Sequence, residues 1–359
     1  MAVLSCDKEG QCGRAGGIME FSVMTPDLLV TKAEVLKDEQ TNTLNTTNLY
    51  IYGAKSSGTT SEILVDAPGA PLVYNGDTKV WNPQVWIYNN YQYSQGSMQW
   101  EEDYYYRFYG FAYSAKANTT SDHGTITITN NTYGRQFTVT QPESGNGDGT
   151  VDYLLSYLVN VNPNTFPLVP IHLEHAMARV DVDVQIANSM FVKDKDDKIT
   201  GCHVEDISVS ISGIRRMATM LCLQPKQYGD EGSHTWYITH DAATTPATYT
   251  AGSIENTANN LEGAQNGISS DMSFIAVPVT QDEMQDYVLT LTYHGNLSNT
   301  EYTYDFLLKE YSPHGWINGH KVKYILTIDN SIHLTGKILD YEDVDYIEAV
   351  IVPDIPGTK

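Results

Sequence analysis

Between Ile171 and Ile186 the chain reads IHLEHAMARVDVDVQI, and from Val180 onward apolar and polar positions alternate. Val180, Val182, Val184 and Ile186 share one side, while Asp181, Asp183 and Gln185 share the other. A period of two is that of a strand with one buried and one solvated face. The run follows a proline-marked break, Asn162-Pro163 to Pro167-Leu-Val-Pro170, so it is expected to be one strand that opens a second domain.

The same period recurs along the chain. Ile18 to Val23 reads as a short first strand closed by Thr25-Pro26, and Asn48 to Gly53 as another ended by glycine. Leu28 to Lys37 is compatible with strand or helix. Trp100 to Tyr113 (WEEDYYYRFYGFAY) is the densest aromatic run and suits a central strand. Thr125 to Thr129 and Gln136 to Thr140 predict a hairpin turning at Asn130-Asn131 to Gly134. A second hairpin is expected from Ile207, Val209 and Ile211, through a turn at Ser212-Gly213, to Met217–Leu223. Thr244 to Ser270 reads as a long loop. In Lys321 to Ile328, Val322, Tyr324, Leu326 and Ile328 share a face. Short strands with turn signals between them predict an all-β protein built of sandwiches or barrels.

Composition narrows this picture. A chain of 359 residues is long for one core and comfortable for two. Its 25 tyrosines against 8 phenylalanines suit half-buried strands, where the ring packs and the hydroxyl stays wet. A formal net charge of −23 repels phosphate backbones and anionic membrane surfaces, so no nucleic-acid partner is expected. The acidity reads as solubility. The start, Met1-Ala-Val-Leu-Ser-Cys6-Asp-Lys-Glu, matches the end of a bacterial lipoprotein signal, with Cys6 as the lipidated residue and residues 7–17 as a tether. The alternative is that Cys6 is one cysteine in a leader. Acyl chains on Cys6 would hold the acidic body at an outer membrane.

Candidate chemistry is sparse. The chain carries no P-loop, no G-x-S-x-G elbow and no H-E-x-x-H, so neither an enzymatic activity nor a cofactor is expected. His172 and His175 would point to opposite faces of a strand, which argues against a metal pair. Asp194-Lys-Asp-Asp197 lacks the glycine and distal glutamate of a calcium loop and reads as a solvated turn. Cys202 and Cys222 flank the second expected hairpin, so either a disulfide or two buried thiols fits them. In WNPQVWIYNNYQY, Trp81, Trp86 and Tyr88, with Tyr91 and Tyr93, form either a stacking platform for sugar rings or a core belt of aromatics.

Four stretches together resemble the fimbrillin family, the subunits of type V fimbriae. They are Trp100 with Tyr106-Arg-Phe-Tyr-Gly-Phe-Ala-Tyr113, Asp152-Tyr-Leu-Leu-Ser-Tyr157 before His175-Ala-Met-Ala-Arg-Val-Asp-Val-Asp-Val184, Phe274-Ile-Ala-Val-Pro278, and Trp316-Ile-Asn-Gly319 before the tyrosine strand at Tyr324. The resemblance implies two tandem transthyretin-like Greek-key β-sandwiches, here residues 18–165 and 166–359 after the leader and tether at 1–17. It also implies export as a lipoprotein, removal of the first strand by a trypsin-like protease, and filling of the opened groove by a strand of another subunit. Lys32 stands where the cleaved residue would fall. No arginine lies between Arg14 and Arg107, which departs from arginine-specific processing. The run Tyr346 to Val352 carries apolar residues on both faces and suits either a donated strand or an ordinary last strand. Expected partners are other fimbrial subunits, surface glycans or proteins of host or bacterium, and the outer membrane through the lipid.

Overall fold

The computed structural model describes residues 17–24, 37–38, 43–44, 49–57, 60–65, 69–75, 80–83, 86–88, 91–93, 99–101, 103–113, 117–131, 134–156, 158–161, 168–222, 225–226, 236–240, 245–251, 268–295, 300–329, 332–340 and 346–347. Its frame is all-β. In chain order the first half supplies β1 (Glu20–Met24), β2 (Leu49–Ser57), β3 (Ala70–Asn75), β4 (Val80–Pro83), β5 (Trp86–Tyr88), β6 (Tyr91–Tyr93), β7 (Tyr105–Tyr113), β8 (Thr125–Asn131), β9 (Gly134–Thr140), β10 (Tyr153–Ser156) and β11 (Leu168–His175). The second half supplies β12 (Ala178–Ile186), β13 (Val204–Ile214), β14 (Met217–Cys222), β15 (Trp236–His240), β16 (Ala247–Thr250), β17 (Ile268–Ala276), β18 (Val288–Gly295), β19 (Thr300–Leu307), β20 (His320–Ile328), β21 (Ile332–Asp340) and β22 (Tyr346–Ile347).

Seven strands of the first half close on themselves in the order β7-β10-β11-β1-β4-β3-β2, with β2 pairing back to β7. Closure removes open edges, the usual liability of an antiparallel sheet. Met19, Phe21, Leu49, Ile51, Tyr106, Phe108, Leu154, Val169 and Ile171 fill the interior. Strand β7 is central, as its aromatic density predicts, and it is buried on both faces. Tyr106 and Phe108 point into the ring, while Tyr109 and Phe111 pack outward against Phe137, Met220 and Ile275. A Cβ at Gly110 on the same strand would sit 2.5 Å from Cγ2 of Ile171, so any side chain there forces Ile171 to shift.

The second half stacks two sheets over one core. One sheet runs β16-β13-β18-β19 and the other β17-β12-β20-β21-β22. The expected buried faces are observed, with Val180, Val182, Val184, Val322, Tyr324, Leu326 and Ile328 all in that core. A third sheet, β8-β9-β14-β15, joins a hairpin from each half.

Three expectations are corrected. The run from Ile171 to Ile186 is not one strand: β11 pairs with β1 and β10 in the ring, whereas β12 pairs with β17 and β20. Residues 175–178 are all buried, and a flat strand cannot bury four successive side chains on one face, so the chain bends there. Pairing therefore changes from the ring to the second core's sheet at Ala176-Met177. The hairpin expected around Ser212-Gly213 is also absent. Gly213 adopts φ +78° inside β13 at a register shift, and the chain turns two residues later, at Arg215-Arg216. There β13 stays with β16 and β18 while β14 departs to β9. Finally, the long loop at 244–270 contains a strand, β16, whose Ala247 and Tyr249 are buried.

Candidate functional site

The candidate site is the slot that β1 occupies. Its sequence, Glu20-Phe-Ser-Val-Met24, alternates, so Met19 and Phe21 are fully buried and Val23 packs on the same core. Phe21 meets Phe108 edge-on, with ring centroids 5.3 Å apart and planes at 85°. One wall is β11, joined in parallel through five pairs from Glu20↔Leu168 to Met24↔His172. The other wall is β4, joined among the described residues by the pair Phe21↔Trp81. Upstream, Ile18 bridges Gln99, and Trp100 N–H donates to Gly17 O at 3.0 Å. Parallel ladders are slightly weaker per residue than antiparallel ones, and the ladder to β11 is parallel. The strand is thus held mainly by its side chains. Without it the slot would present unpaired backbone groups along β11 above an apolar floor, the arrangement that takes up an extended strand.

The expected site residues fall as follows. Cys6, Lys32 and residues 348–352 lie outside the described residues. Tyr346 and Ile347 pair with Leu339 and Ile338 at the edge of their own sheet. Trp81 is a core residue between Phe21 and Tyr74, so it does not belong to a surface platform. Trp86 and Tyr88 lie on a two-stranded hairpin, where the register sets Trp86 opposite Tyr93 and Tyr88 opposite Tyr91. Directly opposed residues, and residues two apart, share a face, so all four aromatic positions fall on one side of the hairpin. Cys202 is buried and pairs with Phe191, while Cys222 is opposite Trp236 on another sheet, so they do not oppose each other across a hairpin. Asp194 caps its own turn, its Oδ1 accepting from the N–H groups of Asp196 and Lys198 at 2.9 Å.

His172 and His175 do lie on opposite faces of β11. His175 is buried, and its Nδ1 is 2.6 Å from Oδ2 of Asp152. Asp152 Oδ1 accepts from Tyr153 N–H at 2.8 Å. This pair was not foreseen. The partners are 23 residues apart, and β10 and β11 must pair before they meet. Among the described residues, no group of three His, Cys, Asp or Glu side chains is placed to hold a metal ion. A surface cleft of about 500 Å³ gathers Asp122, His123, Glu143 and Asp148 beside the 144–149 loop.

A family model for fimbrillin-like proteins matches residues 31–340. The chain belongs to the fimbrillin-like family. No curated protein matches it. Among solved structures it is similar to a candidate cell adhesion protein from Bacteroides uniformis, with 13% identity, 91% of this chain and 98% of that chain covered, and a TM-score of 0.44. A candidate cell adhesion protein from Bacteroides ovatus gives 11% identity, 92% and 100% coverage, and a TM-score of 0.45. A fimbrial assembly protein from Parabacteroides distasonis gives 10% identity, 92% and 97% coverage, and a TM-score of 0.36.

Fimbrillin-like membership implies a cell-surface location and suggests a structural rather than a catalytic role. The stretches that carry the fimbrillin resemblance prove to be packing elements. Asp152 meets His175 where the halves join. In the second core, Trp316 packs on Phe274 with ring centroids 5.8 Å apart and donates its Nε1–H to the Tyr324 hydroxyl oxygen at 2.8 Å. Burial pushes the Tyr324 hydroxyl up to about 12, and the hydrogen bonds of Ser312 and Trp316 partly oppose the rise.

Proposed function

We propose that this fimbrillin-like chain is a structural subunit of a cell-surface fimbria, exported as a lipoprotein through Cys6 and assembled by strand exchange, with a contribution to adhesion. The observation that carries this reading is β1, a short strand seated in parallel on β11 and, among the described residues, tied to β4 by one pair. Cleavage after Lys32 would cut the chain between β1 and β2 and free β1 to leave. Phe21 and Met19 would vacate an apolar slot that a strand such as Tyr346 to Val352 of another subunit fills. The two β bodies are then read as tandem transthyretin-like Greek-key domains, the first supplying the acceptor groove and the second the donor. Trypsin treatment of purified protein, followed by gel electrophoresis and N-terminal sequencing, tests this. Ladders appearing with a new terminus after Lys32 are expected. Persistent monomers after clean cleavage there would count against a polymer-forming subunit.

A second reading, a tip adhesin or carbohydrate-binding surface lipoprotein, is favoured by the β5–β6 register. Four aromatic positions on one side of a hairpin suit stacking on sugar rings. A glycan array comparing the wild-type chain with Trp86→Ala checks it, and binding indifferent to that change would exclude the platform.

A further inference from the structure

We infer that the two halves are locked by a reciprocal exchange of segments, with Arg216 as the positioning residue of the lock, so that the chain moves and unfolds as one body. In one direction, β14 and β15 leave the second half and extend the β8–β9 hairpin, through five pairs from Gln136↔Leu221 to Thr140↔Met217. Their Ala218 and Met220 share a core with Tyr109, Phe111 and Phe137 of the first half. In the other direction, residues 141–150 of the first half reach both sheets of the second. Glu143 O accepts from Thr248 N–H at 2.9 Å, and Pro142 O accepts from Tyr249 O–H at 2.8 Å. Ser144 and Gly145 pair in parallel with Thr248 and Tyr249. On the opposite sheet, Thr150 Oγ1 accepts from Ile275 N–H at 2.9 Å and donates to Gly147 O at 2.6 Å.

Arg216 stands where the two exchanges cross. Its backbone oxygen accepts from Gln141 N–H at 2.7 Å. Its guanidinium donates to Gln141 O at 3.1 Å and to Thr245 O at 2.9 Å, and lies 3.8 Å from the Glu143 carboxylate. Gln141 is itself buried and fixed, with its amide bonded both ways to the backbone of Val151 at 2.8 and 2.9 Å. A planar guanidinium spans three such acceptors, which a lysine ammonium on a flexible stem cannot. A linker that only tethered two domains would leave them free to hinge. Here relative motion must break a sheet ladder, a shared core and this network together.

The test is hydrogen exchange read by mass spectrometry on the full chain across a urea series, following peptides from β2 and β7 in the ring and from β18 and β20 in the second half. In the wild-type chain the four midpoints should coincide. Arg216→Ala should separate ring from second half by at least ~0.5 M urea, Arg216→Lys should give an intermediate separation, and Thr150→Val should separate them independently. Arg179→Ala, which removes a pair with Asp181 inside the second half alone (2.9 Å), should shift all midpoints together. Separate midpoints in the wild-type chain would overturn the lock. Coincident midpoints in both Arg216→Ala and Thr150→Val would overturn the role given to the network. This test needs no cleavage and no polymer, so it stands or falls apart from strand exchange.

Discussion

Phe21→Ala should turn β1 from a docked strand into a loosely held one. Phe21 is fully buried and its ring lies edge-on to Phe108. Truncating a buried phenylalanine costs about 3–5 kcal/mol. Among the described residues the rest of the hold on β1 is Met19, part of Val23, one parallel ladder, one pair to β4, and upstream the Ile18–Gln99 bridge and the Trp100 N–H bond to Gly17 O. Burying Met19 contributes roughly 1.5–3 kcal/mol, while fixing each backbone residue of the strand costs about 1–2 kcal/mol. With Phe21 gone these terms no longer favour docking clearly. The loss should therefore appear as local opening rather than global unfolding. At 1.4 kcal/mol per tenfold, protection of amides 20–24 should fall about 10²- to 4 × 10³-fold. Native-state hydrogen exchange reads this directly, with β20 as the internal reference. A synthetic peptide of residues 346–352 should also bind the variant faster than the wild-type chain. Equal loss of protection in β1 and β20 would show that β1 is an inseparable part of the core, and the slot argument would fail.

Three further outcomes follow from the packing. Gly110→Ala places a methyl 2.5 Å from Ile171 and should cost about 1–3 kcal/mol, seen as a lower melting temperature that Ile171→Ala partly restores. Tyr324→Phe leaves the Trp316 N–H and the Ser312 hydroxyl without their buried partner and should cost about 1–3 kcal/mol in urea unfolding; an unchanged midpoint would refute the role of that cluster. In alkali, Tyr324 ionises near 12 when folded but near 10 when unfolded, so its stabilising contribution is complete below about pH 10 and is lost as pH rises toward 12. Absorbance at 295 nm should show a late tyrosine step coincident with unfolding, and complete ionisation near pH 10 with the fold intact would contradict it.

Much of the local structure was legible along the chain. Alternation marked the buried faces of β12 and β20, turn residues marked the β8–β9 hairpin, and aromatic density marked β7 as a central strand. What misled was adjacency. β13 and β14 both alternate and follow one another, so pairing them was the economical reading, yet each finds its partner far along the chain. Trp81 sits in a loop-like sequence and still closes the ring beside Phe21. The apolar run Ala176-Met177-Ala178, which breaks the alternation, is the local sign that β11 and β12 are separate strands.

The sequence by itself determined that the chain is all-β, which faces of its strands are buried, and the fimbrillin-like resemblance. A period of two and turn chemistry are local properties, written in neighbouring residues. Only the tertiary structure decided which strands pair, that β1 lies in parallel between β11 and β4, and that Arg216 meets Gln141 and Glu143. A strand edge offers the same backbone donors and acceptors whatever its sequence. The choice among partners is therefore made by the packing of whole faces against one another.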